Sequence, residues 1–518
     1  MRSPNVMRKF QFLRANPLLV YLVVEALLGA TDAYARGGGG HSFSGGSSHS
    51  YSGGSGYSGG SYSGSGGSLN NIGLFYLLSR LSFIQMLVLV VLIVIGLWVK
   101  AKYFPSSDDG SGNDEGAVPA YYSPPEIDGG LSTLMAEDPE FSMPLFRDFC
   151  FALYSTLHHA RGQGEAEVTK YKGYLSDFAC QELLAINRNR DGVNHPIIGV
   201  VIGSFQVTSI TEDQKQTKVS VSFDANFTEE TIGTSKQQSF YSREVWIFVR
   251  DRGVRSRKPA LSTQIQCPSC GSPAKSDLHG KCPACNQLIR SGVYDWFIHE
   301  LNVLEISNRP PLLTSTVAEV GTDFPTIYDR HLPEMQTKAL AELHLADFNS
   351  MNDRAQQIFY QLQKTWSARD LNLLRPYETN SLYETHLYWI EEYKKQKLVN
   401  RLEDVRIEKV ELVKIFIDAH YVSVTLRIFA VLKDWTETEA GQTVCGSKYN
   451  PREFSEYWTL IRSRSFQAPK GGFNQCPACG APSKINQAGV CEYCHSLVTS
   501  GEFDWVLSSI EQDESYRG

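Results

Sequence analysis

One cysteine block occurs twice in this chain in a single register, 209 positions apart, and it restricts the possible folds more than any other feature. Cys267-Pro268-Ser269-Cys270 is followed after eleven residues by Cys282-Pro283-Ala284-Cys285, and Cys476-Pro477-Ala478-Cys479 after eleven by Cys491-Glu492-Tyr493-Cys494. The match continues beyond sulfur. Gly271, Pro273, Lys275, Gly280, Ser291, Gly292, Asp295 and Trp296 return as Gly480, Pro482, Lys484, Gly489, Ser500, Gly501, Asp504 and Trp505.

Two Cys-x-x-Cys turns per block let four thiolates converge tetrahedrally on one ion, so the sequence predicts two zinc ribbons. Both would be structural, because a shell of four thiolates leaves no position open for water or substrate. A segment of this length has few core positions, and metal ligation supplies most of what can hold it folded. Iron is the rival ion, since knuckles of the Cys-Pro-x-Cys-Gly type also suit a single iron; zinc is the first expectation. Disulfide or redox chemistry fits less well, because it needs one reactive pair rather than matched pairs of pairs.

At 518 residues the chain has room for two or three domains, each with its own core. A formal charge of −7 and a pI near 6.0 argue against a general nucleic-acid binder. Cys150, Cys180 and Cys445 stand outside the blocks without partner spacing and read as buried thiols. Metal-bound thiolates with spare cysteines suit a reducing compartment.

The first hundred residues read as membrane-directed. Arg2, Arg8, Lys9 and Arg14 precede an apolar run from Leu18 to Leu28, and Ala33-Tyr34-Ala35 supplies a small-x-small site, so 1–35 is expected to be a signal peptide or first apolar segment. Residues 36–70 are mostly Gly, Ser, Tyr and His, a flexible tether in which His41 and His49 read as solvated. The run Leu81–Val99 lies within an expected transmembrane helix, 73–100, flanked by Lys100 and Lys102. The positive-inside rule then places the C-terminal domains in the cytoplasm, as a single-pass protein of a bacterial inner membrane. Residues 101–140 read as an acidic Pro/Gly spacer.

The remainder divides into two halves with one order of elements. Phe146, Phe149, Leu153 and Leu157 mark one helix and Val168, Tyr171, Leu175 and Phe178 a second; strands follow at Ile197–Ile210, Lys218–Phe227 and Phe240–Val249. In the second half Ser350 and Asp353 predict a capping box ahead of Met351, Ile358, Phe359, Leu362 and Trp366; Ser367 with Asp370 restarts the chain, and Leu382–Lys397 reads as a helix. Strands are expected at Val405–Ile417, His420–Val431 and Glu453–Ile461, with Trp246 and Trp458 in equivalent places. The expected organisation is a first module at 141–262, its ribbon at 263–304, a linker at 305–340, a second module at 341–466, and a second ribbon with a tail at 467–518.

Phe359-Tyr360-Gln361-Leu362-Gln363-Lys364-Thr365-Trp366-Ser367-Ala368-Arg369-Asp370, continuing to Leu374-Arg375-Pro376-Tyr377, resembles the first-helix signature of the mitochondrial import inner membrane translocase subunit 44-like domain. The resemblance covers Asp347–Arg462 and, more weakly, Phe141–Arg250, where Leu157-His158-His159-Ala160 replaces the Trp-Ser-x-x-Asp portion. It implies an α+β fold: tandem nuclear transport factor 2-like cone-fold modules, each followed by a four-cysteine zinc ribbon. It also implies a non-enzymatic scaffold or protein-binding adaptor, linked to protein transport at a membrane. Family members with ribbons are similar to those called zinc-ribbon transport proteins.

Cone folds of this kind have a pocket between helices and sheet, so a small-molecule or lipid-binding enzyme is the alternative. Its polar candidates are His158, His159, Asp177 and His195 in the first half and Asp370, His386 and Asp418 in the second; none recurs in both halves, and caps or surface positions explain them more simply. Arg250, Arg252, Arg255, Arg257 and Lys258 form a basic run that would meet anionic lipid if it faces a membrane. Trp296 and Trp505 are expected to pack each ribbon against the module before it.

Overall fold

Long runs of alternating residues give strands of 16 residues or more, and bulges that insert an extra residue interrupt the pairings of Ile197–Glu212 with Gln216–Thr231 and of Lys236–Asp251 with Phe297–Ser307. The computed structural model describes residues 121–122 and 127–518, apart from 189–191, 235, 258, 260–264, 266, 268, 273–275, 278–280, 290–291, 309–312, 314–320, 346, 473–474 and 514.

Strand β1 is Tyr121–Tyr122, followed by helices α1 (Ile127–Glu137), α2 (Met143–Gln163), α3 (Glu165–Thr169) and α4 (Asp177–Arg188). Strands β2 (Ile197–Glu212), β3 (Gln216–Thr231), β4 (Lys236–Asp251) and β5 (Phe297–Ser307) form an antiparallel sheet in that order. The second half has β6 (Tyr328–Asp329), α5 (Leu332–Glu342), α6 (Asn349–Ala368) and α7 (Asn380–Lys395). Its sheet follows the chain order β7 (Leu398–Ile417), β8 (Tyr421–Thr438), β9 (Thr443–Ser463) and β10 (Val506–Gln512).

The ribbons do not follow their modules. Each is inserted between the third and fourth strands of a sheet: β5 pairs with β4 from Val249↔Phe297, and β10 with β9 from Ile461↔Val506. The expected boundaries at 262 and 466 thus cut each sheet one strand short. Phe297-Ile298 and Val506-Leu507 belong to the cores of their halves, with Ile298 and Leu507 wholly buried.

The predicted apolar faces form those cores. Phe146, Phe149, Leu153 and Leu157 of α2 bury against Val221, Phe223, Trp246 and Phe248, and Met351, Ile358, Phe359, Leu362 and Trp366 of α6 against Val424, Leu426, Trp458 and Leu460. Leu145 of α2 packs on Tyr421, Ile461 and Val506, which joins the halves. Ser381 Oγ donates to Asp148 Oδ1 (3.2 Å) and Gln206 Nε2 to the Ser515 carbonyl (3.1 Å) across the same boundary.

Several local expectations change. The helix expected around Val168–Phe178 is two helices, α3 and α4, parted by a turn. The Ser350/Asp353 box does not cap α6; the helix starts at Asn349, whose N–H is taken by Asp347 Oδ1 at 2.9 Å. Ser367 instead accepts from the Leu402 N–H, and Asp370 from Asn372. The acidic spacer is folded at its end: α1 buries Leu134 and approaches β2 so closely that a Cβ on Gly130 would lie 2.4 Å from the Ile210 carbonyl.

Among the described residues no helix is long and apolar enough to cross a membrane. This overturns the expected placement as a single-pass inner-membrane protein with cytoplasmic C-terminal domains. The longest helices, α2 and α6, carry Arg147, Asp148, Arg354 and Lys364 among their apolar residues. The segments assigned to signal, tether and span, 1–35, 36–70 and 73–100, lie outside the described residues.

Candidate metal centres

Each Cys-x-x-Cys pair is bent by the same local device. The N–H four residues after the first cysteine returns to that cysteine's carbonyl: Gly271 to Cys267 (2.8 Å), Asn286 to Cys282 (2.7 Å), Gly480 to Cys476 (2.8 Å) and His495 to Cys491 (2.9 Å). The turn needs a left-handed residue there, with φ of 73°, 57°, 76° and 57°. Glycine takes that conformation without strain and asparagine with little, which explains the residue after each pair except at His495.

Two such turns bring four sulfurs together in each block. Cys267, Cys270, Cys282 and Cys285 have their Sγ atoms all within 4.8 Å, and so do Cys476, Cys479, Cys491 and Cys494. Separations of 3.9 Å (Cys267–Cys285), 3.8 Å (Cys270–Cys282) and 3.8 Å (Cys476–Cys494) match the edge of about 3.8 Å expected for a sulfur tetrahedron around an ion with 2.3 Å bonds. No disulfide occurs among the described cysteines. The donor set therefore fits a metal ion in each ribbon.

The thiols differ in how readily they ionise. Burial pushes Cys267 and Cys476 up to about 12. The Gln287 N–H holds Cys285 down to about 7, and Ser496, through its hydroxyl and N–H, holds Cys494 at about 6. The last cysteine of each block thus ionises more readily than the buried first one, and Cys270 and Cys479 face solvent.

Each ribbon is held to its half by the tail that follows it. Trp296 packs on Phe146 (5.1 Å) and Phe141 (6.3 Å), and Arg250 lies 4.4 Å over its ring. In the second half Arg462 lies 5.7 Å over Trp505. Trp296 and Trp505 thus serve packing, as expected. A matched polar set accompanies them: Glu244 accepts from Trp246 Nε1 (2.8 Å) and Glu456 from Trp458 Nε1 (3.0 Å), six residues ahead of Arg250 and Arg462 respectively. The Glu-x-Trp-x-x-x-Arg spacing in both halves was a sequence signal for this.

The basic run is engaged within the protein. Arg250 is buried, with Nη2 on Asp138 Oδ2 at 2.8 Å; Arg252 pairs with Glu137, and Arg257 with Asp295. Arg255 is exposed, and Lys258 lies outside the described residues. Arg250→Ala should lower the unfolding free energy by about 3–5 kcal/mol, because it leaves Asp138 buried without its cation. Arg255→Ala should change it by less than about 0.5 kcal/mol when both variants are unfolded in urea.

The polar candidates scatter. His159 Nδ1 donates to the Ser155 carbonyl (2.7 Å), Asp177 opens α4, His195 precedes β2, and Asp418 accepts from the His420 and Tyr421 N–H groups in a turn. His386 is buried on Glu378 (2.8 Å). His158 is also buried, its Nε2 3.3 Å from Glu244 Oε1, which further accepts from Tyr154 (2.8 Å) and Ser242 (2.6 Å). Arg161 Nε donates to His158 Nδ1 at 3.2 Å. This network occupies the space between helix and sheet in the first half; in the second, Trp366 Nε1 reaches Asn400 Oδ1 (3.1 Å) in the equivalent layer. A cleft of about 1190 Å³ lies instead between the halves, where Asp148, Ser155, Asn380, Ser381, Thr499 and Glu502 face one another.

Residues 346–473 match the family model for the Tim44-like domain. They form a Tim44-like domain. That domain spans α6, α7 and the first three strands of the second sheet, and it ends just before Cys476. The chain is also similar to a solved structure described as "Ntf2 like protein involved in plasmid conjugation", with 10% identity over 71% of this chain and 95% of that one. The TM-score is 0.15. No curated protein matches the chain.

Proposed function

We propose that the protein is a non-enzymatic adaptor that binds other proteins, built from two cone-fold modules that arose by duplication, each carrying a structural zinc ion in an inserted ribbon. The observation that carries this reading is the pair of closed four-sulfur clusters, each set between two strands of one sheet. Such a shell has no site for substrate, and its place in the fold makes it a clasp. The Tim44-like domain supports a scaffold linked to protein transport. In both halves the layer where a cone-fold enzyme would hold substrate is filled by buried side chains, Trp246 and His158 in one and Trp366 in the other.

A photoreactive residue in place of Ser155 or Ser500, both lining the cleft, should crosslink protein partners in cells, whereas one in place of exposed Tyr449, at the far end of the second sheet, should not. Equal labelling at all three positions would refute a partner site in the cleft. Metal analysis of the purified chain should give two zinc ions and a colourless protein; a red chain containing iron would replace zinc with its rival.

The cone-fold enzyme is retained as a second reading on one observation, the buried His158–Glu244–Tyr154 cluster. A binding isotherm for any small acidic or lipid ligand that disappears in His158→Gln would favour it.

A further inference from the structure

We infer that Arg375 couples the folded state of the second ribbon to the cleft between the halves, so that metal in that ribbon controls the cleft's shape. The inference rests on the ribbon being a metal site, as proposed above.

Arg375 sits in the short turn Arg375–Tyr377 directly ahead of α7 and is 1% exposed. Its guanidinium joins two segments. Nε donates to the Gln487 carbonyl (3.0 Å), in the ribbon loop between the two cysteine pairs. Nη1 donates to the Glu378 carbonyl (3.1 Å), and Nη2 to Asn380 Oδ1 at the start of α7. The group lies 4.5 Å over the Tyr383 ring. The Glu378 carboxylate is turned to His386, so the cation is held by amide oxygens from ribbon and module together. A buried guanidinium of this kind keeps its place only while both sets of oxygens do.

The ribbon is fitted around this side chain. Gly489 has φ of +77°, and a Cβ there would lie 2.8 Å from Arg375 Nη2 and 2.3 Å from Thr499 Oγ1. Thr499 Oγ1 donates to the same Asn380 Oδ1 (3.3 Å). Asn380 and Ser381 line the cleft, and Ser381 bonds Asp148 of the first half. The ribbon tail, through Leu497, Thr499, Ser500 and Glu502, lines it as well. Contacts therefore run from the cysteine knuckles through Gln487 and Thr499 to Arg375 and Asn380, and from there to the other half.

The bistable element is the ribbon, folded with metal and unfolded without it. Its unfolding removes the Gln487 and Thr499 contacts and turns the guanidinium toward water, which frees the first turn of α7. Among the described residues the first half shows no such arginine contact. The parallel bridges Leu175↔Ile298 and Glu378↔Leu507 set the register between the halves, and Lys172 falls where Arg375 stands. The first ribbon docks instead through Ser276, whose N–H and Oγ both donate to the Lys170 carbonyl at 2.9 and 3.0 Å.

Hydrogen exchange on the full chain, with zinc ion as the only probe, tests this. Cys479→Ser, which empties the second ribbon alone, should speed exchange of the 379–385 amides by about tenfold, and Cys270→Ser should leave them unchanged. Arg375→Gln should produce the same acceleration while still binding two zinc ions, and combining it with Cys479→Ser should add little. If Arg375→Gln does not fold, Thr499→Val removes one hydroxyl from the link and should give about a threefold effect. Protected 379–385 amides in a Cys479→Ser chain that has lost one zinc would overturn the coupling and leave the metal reading intact. A chain that binds no metal would overturn both.

Discussion

Cys476→Ser should unfold far more than a ribbon. Metal ligation contributes on the order of 10–16 kcal/mol to isolated zinc modules, and a typical domain has a net stability of about 5–15 kcal/mol. A ribbon appended to a finished module would unfold alone. Here β10 follows the ribbon in the chain, so a loose ribbon also loosens the strand that covers β9, along with wholly buried Leu507 and nearly buried Trp505. The expected result is one zinc ion per chain instead of two, new protease cuts within 464–512, and a lower denaturant midpoint for a second half that still folds. An unchanged denaturant midpoint after loss of that metal would mean that the ribbon is not a clasp.

Glu244→Ala should destabilise the first half by about 3–5 kcal/mol, since it leaves Tyr154, Ser242 and Trp246 without the carboxylate that accepts their hydrogen bonds. Glu244 also gives the fold a dependence on pH. Burial acts to raise its pKa, yet the His158 ring and the Ser242 and Trp246 bonds outweigh burial and hold it at about 2. A folded-state pKa below the unfolded value of 4.5 means stability that is full above that value and lost as the pH falls toward the folded value. Burial lowers the pKa of His158, so the folded ring resists a proton that the unfolded ring accepts below its ordinary 6.5. Both groups weaken the fold on acidification, the histidine first. Urea titrations from pH 7 to pH 3 should show this decline, and Glu244→Gln should flatten its lower part; an equal slope in that variant would assign the acid lability elsewhere.

What the sequence disclosed follows from how local each signal is. Four knuckles with their left-handed residues, and helical faces such as Phe146–Phe149–Leu153, are written within a few neighbouring residues. Strands β2 to β4 and β7 to β9 show as alternation. The fourth strands were missed because Trp296-Phe297-Ile298 and Trp505-Val506-Leu507 follow the cysteine blocks directly; only pairing with strands on the far side of each ribbon makes them part of a sheet. Helix α1 was hidden by Gly129 and Gly130, poor helix formers that tertiary contact with β2 overrides. The pairing of His158 with Glu244 and of Arg250 with Asp138 spans distant segments, and no local pattern announces it.

The inserted ribbons also set the order in which the chain can be assembled. Strands β4 and β5 cannot zip together as a hairpin, because every residue of the first ribbon lies between Val249 and its neighbour Phe297, and closing so long a loop slows folding. Closure of the four-cysteine cluster brings those ends near each other beforehand. During synthesis the edge of β4 stays open to stray pairing until Ser307 has left the ribosome.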